Sequence, residues 1–283
     1  MITVSAFAKI NLTLEVLGRR SDGYHDVSTI LQEIDLKDSL SFEECPDITL
    51  DCDRPELKST DNLVIEAARL LRKETGYRGG VRITLDKGIP VAAGLGGGSS
   101  DAAATLVALD ELWGLNLSSD SLVELASQLG SDVPFFVRGG AALTGERGEK
   151  IISLPALVGM WVVLLKSAVP VPERKTRAMY KSLSPSHFSG GEHTKRMASV
   201  LKKGGGDLPL MYNAFDAIAS DVYEGIEWYR ERFRSIGAPE VHLAGSGPAL
   251  FALLNDRGRA EQINRSLLDM GLESYIVRTV ARS

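Results

Sequence analysis

Apolar and polar residues alternate over the first part of the chain, and this pattern predicts extended strands. From Ile2 to Val16 the apolar side chains recur at about every second position, which leaves Lys9 and Asn11 on the opposite, polar face. A lysine on such a face ordinarily meets only solvent. The same pattern predicts further extended segments at 27–34, 39–43, 48–52 and 81–85.

Helical spacing replaces the alternation in two places. Apolar positions over 63–75 predict a helix, and Gly76 directly after it is a good C-cap. A second helix is predicted over 122–129, where Ser121 and Glu124 have the spacing of a capping box. The first half of the chain therefore mixes strands and helices, as an α+β domain does.

The second half of the chain predicts the order β-α-β-β-α-β, which is the split βαβ or ferredoxin-like arrangement. A continuous apolar run over 160–165 predicts its first, buried strand. The elements that follow are predicted as helices at 173–183 and 213–235, strands at 241–244 and 249–254, a helix at 259–270 and a strand at 274–279.

Two other stretches have a composition of their own. Residues 139–154 predict a hairpin that turns around Gly145 to Gly148. Residues 184–209 are rich in Ser, Gly and Lys and are predicted to be mobile, apart from a short helix at 195–202. A composition break near residue 155 predicts two domains, at 1–155 and 156–283.

A glycine-rich loop lies between the predicted strand at 81–85 and a helix rich in Ala and Leu over 102–113. Glycines let the backbone approach a ligand closely, and the first N–H groups of a helix have no acceptor within the helix. Because the helix dipole adds partial positive charge there, such a loop binds anions, most commonly phosphate. The residues predicted to form this nucleotide triphosphate site are Pro90, Val91, Ala92, Ala93, Gly94, Leu95, Gly96, Gly97, Gly98, Ser99 and Ser100.

Three other interpretations of the loop fit less well. It is not a Walker-type P-loop, because no Gly-Lys-Ser/Thr follows the glycines. It is a poor dinucleotide fingerprint, because Ser99 occupies the third glycine slot and Asp120 opens a helix where an acidic residue should end a strand. A flexible linker would not lead directly into an apolar helix. Phosphate binding therefore remains the favoured interpretation.

Composition narrows the class of protein. The chain has 283 residues, of which 44% are hydrophobic and 24% charged, with a formal net charge of −5. These values predict a globular protein of one large or two medium domains, with no attraction to nucleic acid or membranes. The N-terminus lacks the pattern of a signal peptide, which predicts a cytoplasmic protein. Cys45 and Cys52 are predicted to be free thiols, since they match neither a disulfide framework nor a zinc site.

Several polar residues outside the loop are candidates for chemistry. Asp132 follows a predicted helix and precedes the apolar run Val-Pro-Phe-Phe-Val, and a carboxylate held on rigid apolar structure is suited to act as a general base. The Gly-Ser-Gly-Pro sequence at 245–248 predicts a β-turn that could also approach phosphate. His187 and His193 lack a third ligand for a metal, and His242 is predicted to be structural.

Residues 90–104 resemble the Pro-x-x-x-Gly-Leu-Gly-Ser-Ser signature of the GHMP kinases, the small-molecule kinases named for galactose, homoserine, mevalonate and phosphomevalonate. Segments at 8–12, 22–25, 132–136 and 245–247 are similar in order and spacing to the branch of this family that acts on a cytidine-diphosphate-linked methylerythritol in the non-mevalonate isoprenoid pathway. The resemblance implies an α+β, two-domain GHMP kinase fold. Its N-terminal α+β domain binds the nucleotide and its C-terminal α+β domain is ferredoxin-like, with ATP and the acceptor meeting in the cleft between them.

The resemblance also implies roles for individual residues. The family transfers the γ-phosphoryl group of ATP to a hydroxyl, and Mg²⁺ would be held by Ser99 or Ser100. Asp132 matches the catalytic aspartate, which either removes the hydroxyl proton or orients the hydroxyl. Lys9 matches the lysine that pairs with this aspartate.

The small-molecule substrate is implied to contact five residues. Asn11 matches a residue lining the acceptor site. Tyr24 would stack on the cytosine and His25 would hydrogen-bond to it, while Thr176 and Tyr180 match a threonine and a second aromatic wall.

Two rivals remain. Another GHMP kinase, of mevalonate or homoserine type, would have no use for a cytidine pocket at Tyr24 and His25. A non-catalytic nucleotide-binding protein on the same fold would be expected to lose Lys9 or Asp132, and both are present.

Overall fold

The computed structural model describes residues 1–146, 150–205, 208 and 210–282, with Glu146 described by its main chain only. Its strands, in chain order, are β1 (Ile2–Arg19), β2 (His25–Cys45), β3 (Ile48–Cys52), β4 (Gly80–Asp86), β5 (Ala141–Glu146), β6 (Lys150–Leu154), β7 (Trp161–Lys166), β8 (Tyr212–Asn213), β9 (His242–Leu243), β10 (Leu250–Leu254) and β11 (Glu273–Arg278). Its α-helices are α1 (Leu63–Thr75), α2 (Gly97–Leu112), α3 (Ser119–Leu129), α4 (Val133–Arg138), α5 (Lys175–Ser182), α6 (Glu192–Lys202), α7 (Ala219–Val222), α8 (Ile226–Ser235) and α9 (Arg257–Asp269).

The chain folds into two compact units. The first unit comprises Met1–Ala8, Leu36–Val91 and Gly96–Gly139, and the second comprises Lys9–Asp35, Ala92–Leu95 and Gly140–Ser283. Strands β1 and β2 each pass from one unit into the other, so the units are interleaved along the chain. The domain division predicted at residue 155 follows the chain rather than these units and stays a prediction.

The first unit packs helices α1 to α4 with a sheet. Within this unit β4 pairs antiparallel with residues 39–45 of β2 and parallel with β3. Helix α2 contacts α1, α3 and α4, and its alanines Ala102, Ala103 and Ala108 are fully buried. Small side chains allow such close approach of helices, so the Ala-rich sequence after the glycine loop explains why α2 is central to this unit.

The predicted helices of this unit are present, with one correction. Helix α1 has the predicted bounds and ends at Gly76, whose φ of 69° is the left-handed C-cap conformation. Helix α3 begins at Ser119 rather than at residue 122, and the predicted capping box is wrong. Ser118 is the N-cap, because its Oγ accepts a hydrogen bond of 3.1 Å from the main-chain N–H of Ser121.

The second unit contains a sheet built on the remaining parts of β1 and β2. Residues 27–32 of β2 pair antiparallel with β5, and β5 pairs antiparallel with β6. The predicted hairpin is therefore confirmed, although residues 147 and 148 of its predicted turn lie outside the described residues. The predicted strands at 27–34 and 39–43 are parts of the single long strand β2.

A second sheet of this unit has the order β11-β7-β10-β9, and all its neighbouring strands are antiparallel. Helix α9 packs on this sheet. Numbered from β7, the order is that of a ferredoxin-like sheet, so the arrangement predicted for the second half of the chain is confirmed. The core beneath it is rich in large side chains, including Phe215, Tyr223, Phe233 and Ile263.

The predicted helix over 213–235 is wrong as a continuous element. The chain forms β8, then a 3-10 turn at Ala214–Ile218, then the short helix α7 and finally α8. Asn213 Oδ1 accepts a hydrogen bond of 3.0 Å from Phe215 N and thereby starts the 3-10 turn. Gly225, in the left-handed conformation at φ 84°, is the N-cap of α8 and changes the direction of the chain there. The apolar residues keep a helical spacing across these breaks, because the 3-10 turn, α7 and α8 each bury apolar side chains of their own.

The segment predicted to be mobile contains a well-packed helix. Helix α6 begins at Glu192, three residues before the predicted start, and Thr194 and Met197 on it are buried. The carboxylate of Glu15 on β1 accepts hydrogen bonds from Thr194 N at 2.7 Å and from Ser189 Oγ at 2.9 Å. These bonds lower the pKa of Glu15, against the effect of its burial. The predicted short helix is therefore confirmed, with an earlier start; residues 206, 207 and 209 lie outside the described part of the chain.

Candidate active site

Lys9 and Asn11 lie on β1 in the second unit, where Lys9 Nζ donates a hydrogen bond of 2.8 Å to Asn11 Oδ1. Both side chains are only 4% exposed, so the prediction of a solvated polar face is wrong. The chain around Gly245 covers this face: a Cβ on Gly245 would lie 2.9 Å from Lys9 Nζ. Strand β1 therefore holds a cation and an amide in fixed positions beside a glycine turn.

Side chains from three directions hold the turn at 245–248. Asn213 Nδ2 donates to the carbonyl oxygens of Leu243 and Gly245, at 2.9 and 2.8 Å. The hydroxyl of Tyr223 donates to Ser246 O at 2.6 Å, and Lys175 Nζ donates to the carbonyl of Gly247. Because its carbonyl groups are bound in this way, the turn keeps one conformation beside Lys9.

Residues Ala92–Leu95 of the glycine loop belong to the same unit. Lys9 N donates to Leu95 O at 2.9 Å, and Ala249 N donates to Ala93 O at 3.2 Å. Gly94 has a φ of 89°, and a Cβ there would overlap with the main-chain oxygen of Ala244. Only glycine fits this position, so the first glycine of the predicted loop serves close packing of two backbones.

The later glycines of the loop belong to the first unit, where they begin α2. Gly96, at φ 77°, is the N-cap, and the first helical hydrogen bond is donated by Ser100 N to Gly96 O at 2.9 Å. The N–H groups of Gly97, Gly98 and Ser99 therefore have no acceptor within the helix. The first turn also carries no acidic residue. The helix start predicted near residues 99–101 is present and lies at Gly97, and the binding of an anion there stays a prediction.

A buried ion cluster underlies this helix start. Lys87 Nζ bonds to Asp38 Oδ2 and, at 2.8 Å, to Asp101 Oδ2 on α2. The other oxygen of Asp38 accepts the main-chain N–H groups of Gly88 and Ile89, at 2.7 and 2.8 Å. The cluster ties the helix to the end of β4 and to β2, and it fixes where α2 begins.

Burial decides the charge of this cluster. It raises the pKa of Asp101 to about 7, and the nearby charge of Asp38 adds to the rise while Lys87 opposes it. The two carboxylates raise the pKa of Lys87 despite its burial, so the lysine stays protonated. Asp101 Oδ1 is buried and has no hydrogen-bond partner among the described residues, as suits a carboxyl group that carries a proton near neutral pH.

Ser99 and Ser100, the two serines predicted to hold Mg²⁺, both lie in the first turn of α2. The Oγ of Ser100 is buried and has no hydrogen-bond partner within the described residues, whereas Ser99 is partly exposed. Mg²⁺ takes oxygen ligands and usually retains several waters and phosphate oxygens. One hydroxyl at a helix start that can bind phosphate fits that requirement. In the described residues, no group of three His, Cys, Asp or Glu side chains is arranged to hold a metal by itself.

Asp132 lies in the first unit, at the N-cap position of α4. The residues after it, Val133 to Phe136, are buried, so its backbone is anchored as the sequence predicted. Its side chain makes no capping hydrogen bond with the helix that it precedes. Lys9 lies in the second unit, and the predicted pairing of Lys9 with Asp132 stays a prediction.

An aromatic cluster in the second unit contains two of the residues predicted to bind cytosine. The rings of His25 and Tyr180 are stacked, with centroids 5.0 Å apart and an interplanar angle of 18°. Phe188 meets the edge of His25, and Phe215 meets the edge of Tyr180. Burial lowers the pKa of His25, and the positive charge of Arg19 lowers it further. At neutral pH His25 is therefore a neutral imidazole that can both donate and accept a hydrogen bond.

The other two residues predicted to bind cytosine, Tyr24 and Thr176, flank this cluster along the chain. Tyr24 is 56% exposed and follows a turn in which its N–H donates to Asp22 Oδ1 at 3.0 Å. Thr176 and Tyr180 are four residues apart on α5, so both lie on one side of the helix. The hydroxyl of Thr176 lies 3.0 Å from Ser246 Oγ, which connects α5 to the glycine turn. The structure thus brings Lys9, Asn11, His25, Thr176 and Tyr180 into one unit.

Sequence reasoning missed several residues that position the site. Lys87 and Asp38 are far apart in the sequence and buried by tertiary packing, so neither pattern nor spacing indicated them. Asn213 lies within the predicted helix over 213–235, although an Asn before an apolar stretch is a good N-cap and marks the start of a new element. The two histidines that lack a third ligand for a metal make other contacts. His187 Nδ1 accepts a hydrogen bond from Ser184 N, and His193 stacks on Tyr212.

Comparisons with known proteins identify the family of this chain. The model of the GHMP kinases N terminal domain matches residues 62–140, and that of the GHMP kinases C terminal domain matches residues 207–271. A protein of Dehalococcoides mccartyi called 4-diphosphocytidyl-2-C-methyl-D-erythritol kinase is 41% identical over 99% of both chains. The chain belongs to the GHMP kinases. It is accordingly an ATP-dependent kinase.

Solved structures of GHMP kinases agree with this assignment. The chain is similar to a crystal structure of 4-(cytidine 5'-diphospho)-2C-methyl-D-erythritol kinase, with a TM-score of 0.83 and 32% identity over 99% of this chain and 100% of the other. It is also similar in fold to a homoserine kinase of Cytophaga hutchinsonii, with a TM-score of 0.75 and 16% identity over 99% of this chain and 95% of the other. The second likeness concerns the GHMP fold alone. Among the described residues, no helix is both long and apolar enough to cross a bilayer.

Proposed function

We propose that this GHMP kinase transfers the γ-phosphoryl group of ATP to the 2-hydroxyl of 4-diphosphocytidyl-2-C-methyl-D-erythritol, giving the 2-phosphate and ADP. The observation that carries the choice of substrate is the stacked pair of His25 and Tyr180, in the same unit as Lys9. Mevalonate and homoserine contain no base that could stack on these rings. The names of the full-length relatives support the same choice.

The cytosine would bind by stacking and by its polar edge. Tyr180 offers an aromatic face that is already held by Phe215, and Tyr24 is exposed enough to supply a second face. Stacking tolerates any base, so selection of cytosine requires hydrogen bonds to its edge. A neutral His25 can supply both a donor and an acceptor for this purpose, and Thr176 can supply a hydroxyl.

The triphosphate would bind at the glycine loop. The N–H groups at the start of α2 and the helix dipole favour the negative charge of the phosphates. The hydroxyls of Ser100 and, less directly, Ser99 would hold Mg²⁺ against the phosphates. When bound, Mg²⁺ neutralises charge that develops on the transferred group.

Phosphoryl transfer forms a bond between the acceptor oxygen and the γ-phosphorus and breaks the bond to the bridging oxygen of ADP. The proton of the acceptor hydroxyl must leave, and Asp132, on its anchored backbone, would orient that hydroxyl or take the proton. Lys9 would add positive charge near the acceptor oxygen. Such a reaction depends chiefly on positioning and charge neutralisation, which matches the buried, hydrogen-bonded setting of Lys9.

The decisive experiment is ADP release from ATP and Mg²⁺ with a panel of alcohols. The panel contains the cytidine-linked methylerythritol, the same alcohol without its cytidine, mevalonate, homoserine and galactose. The proposal expects turnover with the cytidine-linked compound and a fall of at least about a hundredfold in kcat/KM when the cytidine is absent. Comparable turnover of the alcohol lacking cytidine, or preference for mevalonate or homoserine, would refute it.

A further inference from the structure

The amide of Asn11 is clamped between two hydrogen bonds in the interior of the second unit. Its Oδ1 accepts from Lys9 Nζ at 2.8 Å, and its Nδ2 donates to Thr29 Oγ1 on β2, also at 2.8 Å. Thr29 Oγ1 in turn donates to the main-chain oxygen of Thr13, at 2.5 Å. Thr29 is 7% exposed and Thr13 is completely buried, so water does not compete for these bonds. A continuous polar chain therefore runs from β2 through Asn11 to Lys9.

Thr29 determines which way this amide points. A hydroxyl has one proton, and that of Thr29 is committed to the Thr13 carbonyl, so toward Asn11 its oxygen can only accept. The NH₂ group of Asn11 must then face Thr29, and its oxygen must face Lys9. The reversed amide would set two donors, Nδ2 and the ammonium of Lys9, against each other and two acceptors against each other at Thr29. The hydrogen bonds thus determine the orientation of the Asn11 amide, whose two orientations have nearly the same shape.

We propose that Thr29 is a positioning residue for phosphoryl transfer, which holds the ammonium of Lys9 in place through the oriented amide of Asn11. The inference rests on the proposed function, because it assumes that the position of Lys9 matters for catalysis. Thr29 acts on Lys9 through Asn11, to which both side chains are hydrogen-bonded. By fixing the direction of the Asn11 oxygen, Thr29 limits where the ammonium of Lys9 can lie. A small misplacement of a charged group in a phosphoryl-transfer site lowers the rate.

The variants are chosen to separate orientation from packing. Thr29→Val keeps the shape of the side chain but removes the acceptor, and Thr29→Ser keeps the oxygen. Thr279→Val is the matched control: within the described residues, the hydroxyl of this buried threonine of the same unit bonds to the main chain of Met160 and to no other group. We expect Thr29→Val to lower kcat about tenfold with KM for ATP unchanged, since one hydrogen bond in a fixed geometry is lost. Thr29→Ser and Thr279→Val should stay within about twofold of wild type.

A double-mutant cycle tests whether the effect passes through Asn11. In an Asn11→Leu background the amide is gone, so Thr29→Val should cause no further loss of kcat. Additive losses in the double variant, or a Thr29→Ser enzyme as slow as Thr29→Val, would overturn the proposal. If Thr29→Val does not fold, Thr29→Cys serves in its place, because it is close in size and its sulfur is a weak acceptor.

A second readout does not depend on the substrate. The side-chain NH₂ protons of Asn11 can be assigned by their loss from the ¹⁵N spectrum of Asn11→Leu. They should exchange slowly with water in the wild type and in Thr29→Ser, and at least about tenfold faster in Thr29→Val, because the clamping bond is broken. If no alcohol of the panel is turned over, the proposed function fails while this exchange still tests the clamp. Unchanged exchange in Thr29→Val would overturn the clamp even in an active kinase.

Discussion

The raised pKa of Asp101 should give a contribution to stability that falls as the pH rises, and Asp101→Asn should remove this contribution. Burial raises the pKa of Asp101 from 3.8 to about 7, so between these values the folded state binds a proton that the unfolded state has released. The slope of the unfolding free energy with pH is therefore negative in this window. The favourable contribution is complete below pH 4 and is lost by the time the pH passes 7.

The size of the effect follows from the pKa difference. Each pH unit within the window costs about 1.4 kcal/mol, and from pH 5 to pH 8 about two such units apply, so the group removes about 3 kcal/mol of stability. Asn cannot titrate. The wild type should thus lose about 3 kcal/mol more than Asp101→Asn over this range.

Urea unfolding at pH 5 and pH 8, followed by circular dichroism, measures both losses. Asp110→Asn, on the same helix, is the matched control for removing a carboxylate from α2 and should behave as the wild type does. Equal pH dependence in the wild type and in Asp101→Asn would refute the reasoning. It would mean that Lys87 keeps Asp101 ionised in the folded protein.

Three further predictions concern the site. Asp132→Asn should lower kcat by about 10²–10⁴-fold with little change in KM for ATP, and near-normal turnover would remove Asp132 from the reaction. Tyr180→Leu should raise KM for the cytidine substrate about tenfold and spare KM for ATP, since one stacking face is lost; equal changes in both would argue against a base site. Gly94→Ala should destabilise the protein by about 2 kcal/mol or more in thermal unfolding, because the φ of Gly94 is positive and an added Cβ would overlap a carbonyl oxygen. The control Gly18→Ala should cost far less, because a Cβ at Gly18 meets no atom within 4 Å.

Local patterns predicted much of this fold because they report local physics. The helix at 63–75 and its Gly76 cap depend on residues within the segment, and so does the strand at 81–85. The ferredoxin-like order could be predicted because five of its six elements are short and separated by clear turns. The sixth, the helix predicted over 213–235, failed because periodicity does not register the left-handed turn at Gly225.

The candidate site was predicted unevenly for the same reason. The helix start at Gly97 is a local property of glycines followed by alanines. By contrast, the burial of Lys9 depends on a turn more than two hundred residues later, around Gly245, and alternation along β1 carries no information about it. The Lys87 cluster and the Thr29 clamp join strands that are distant in the sequence, so only the fold reveals them.

The interleaving of the two units constrains how this kinase can be recombined. The chain crosses between units within β1, within β2 and on both sides of Ala92–Leu95, and again near Gly140. A chimera joined to another GHMP kinase at any one of these points would leave at least one unit assembled from both parents. Exchange of a complete unit therefore requires several simultaneous junctions, two of them inside β-strands, where register must be preserved.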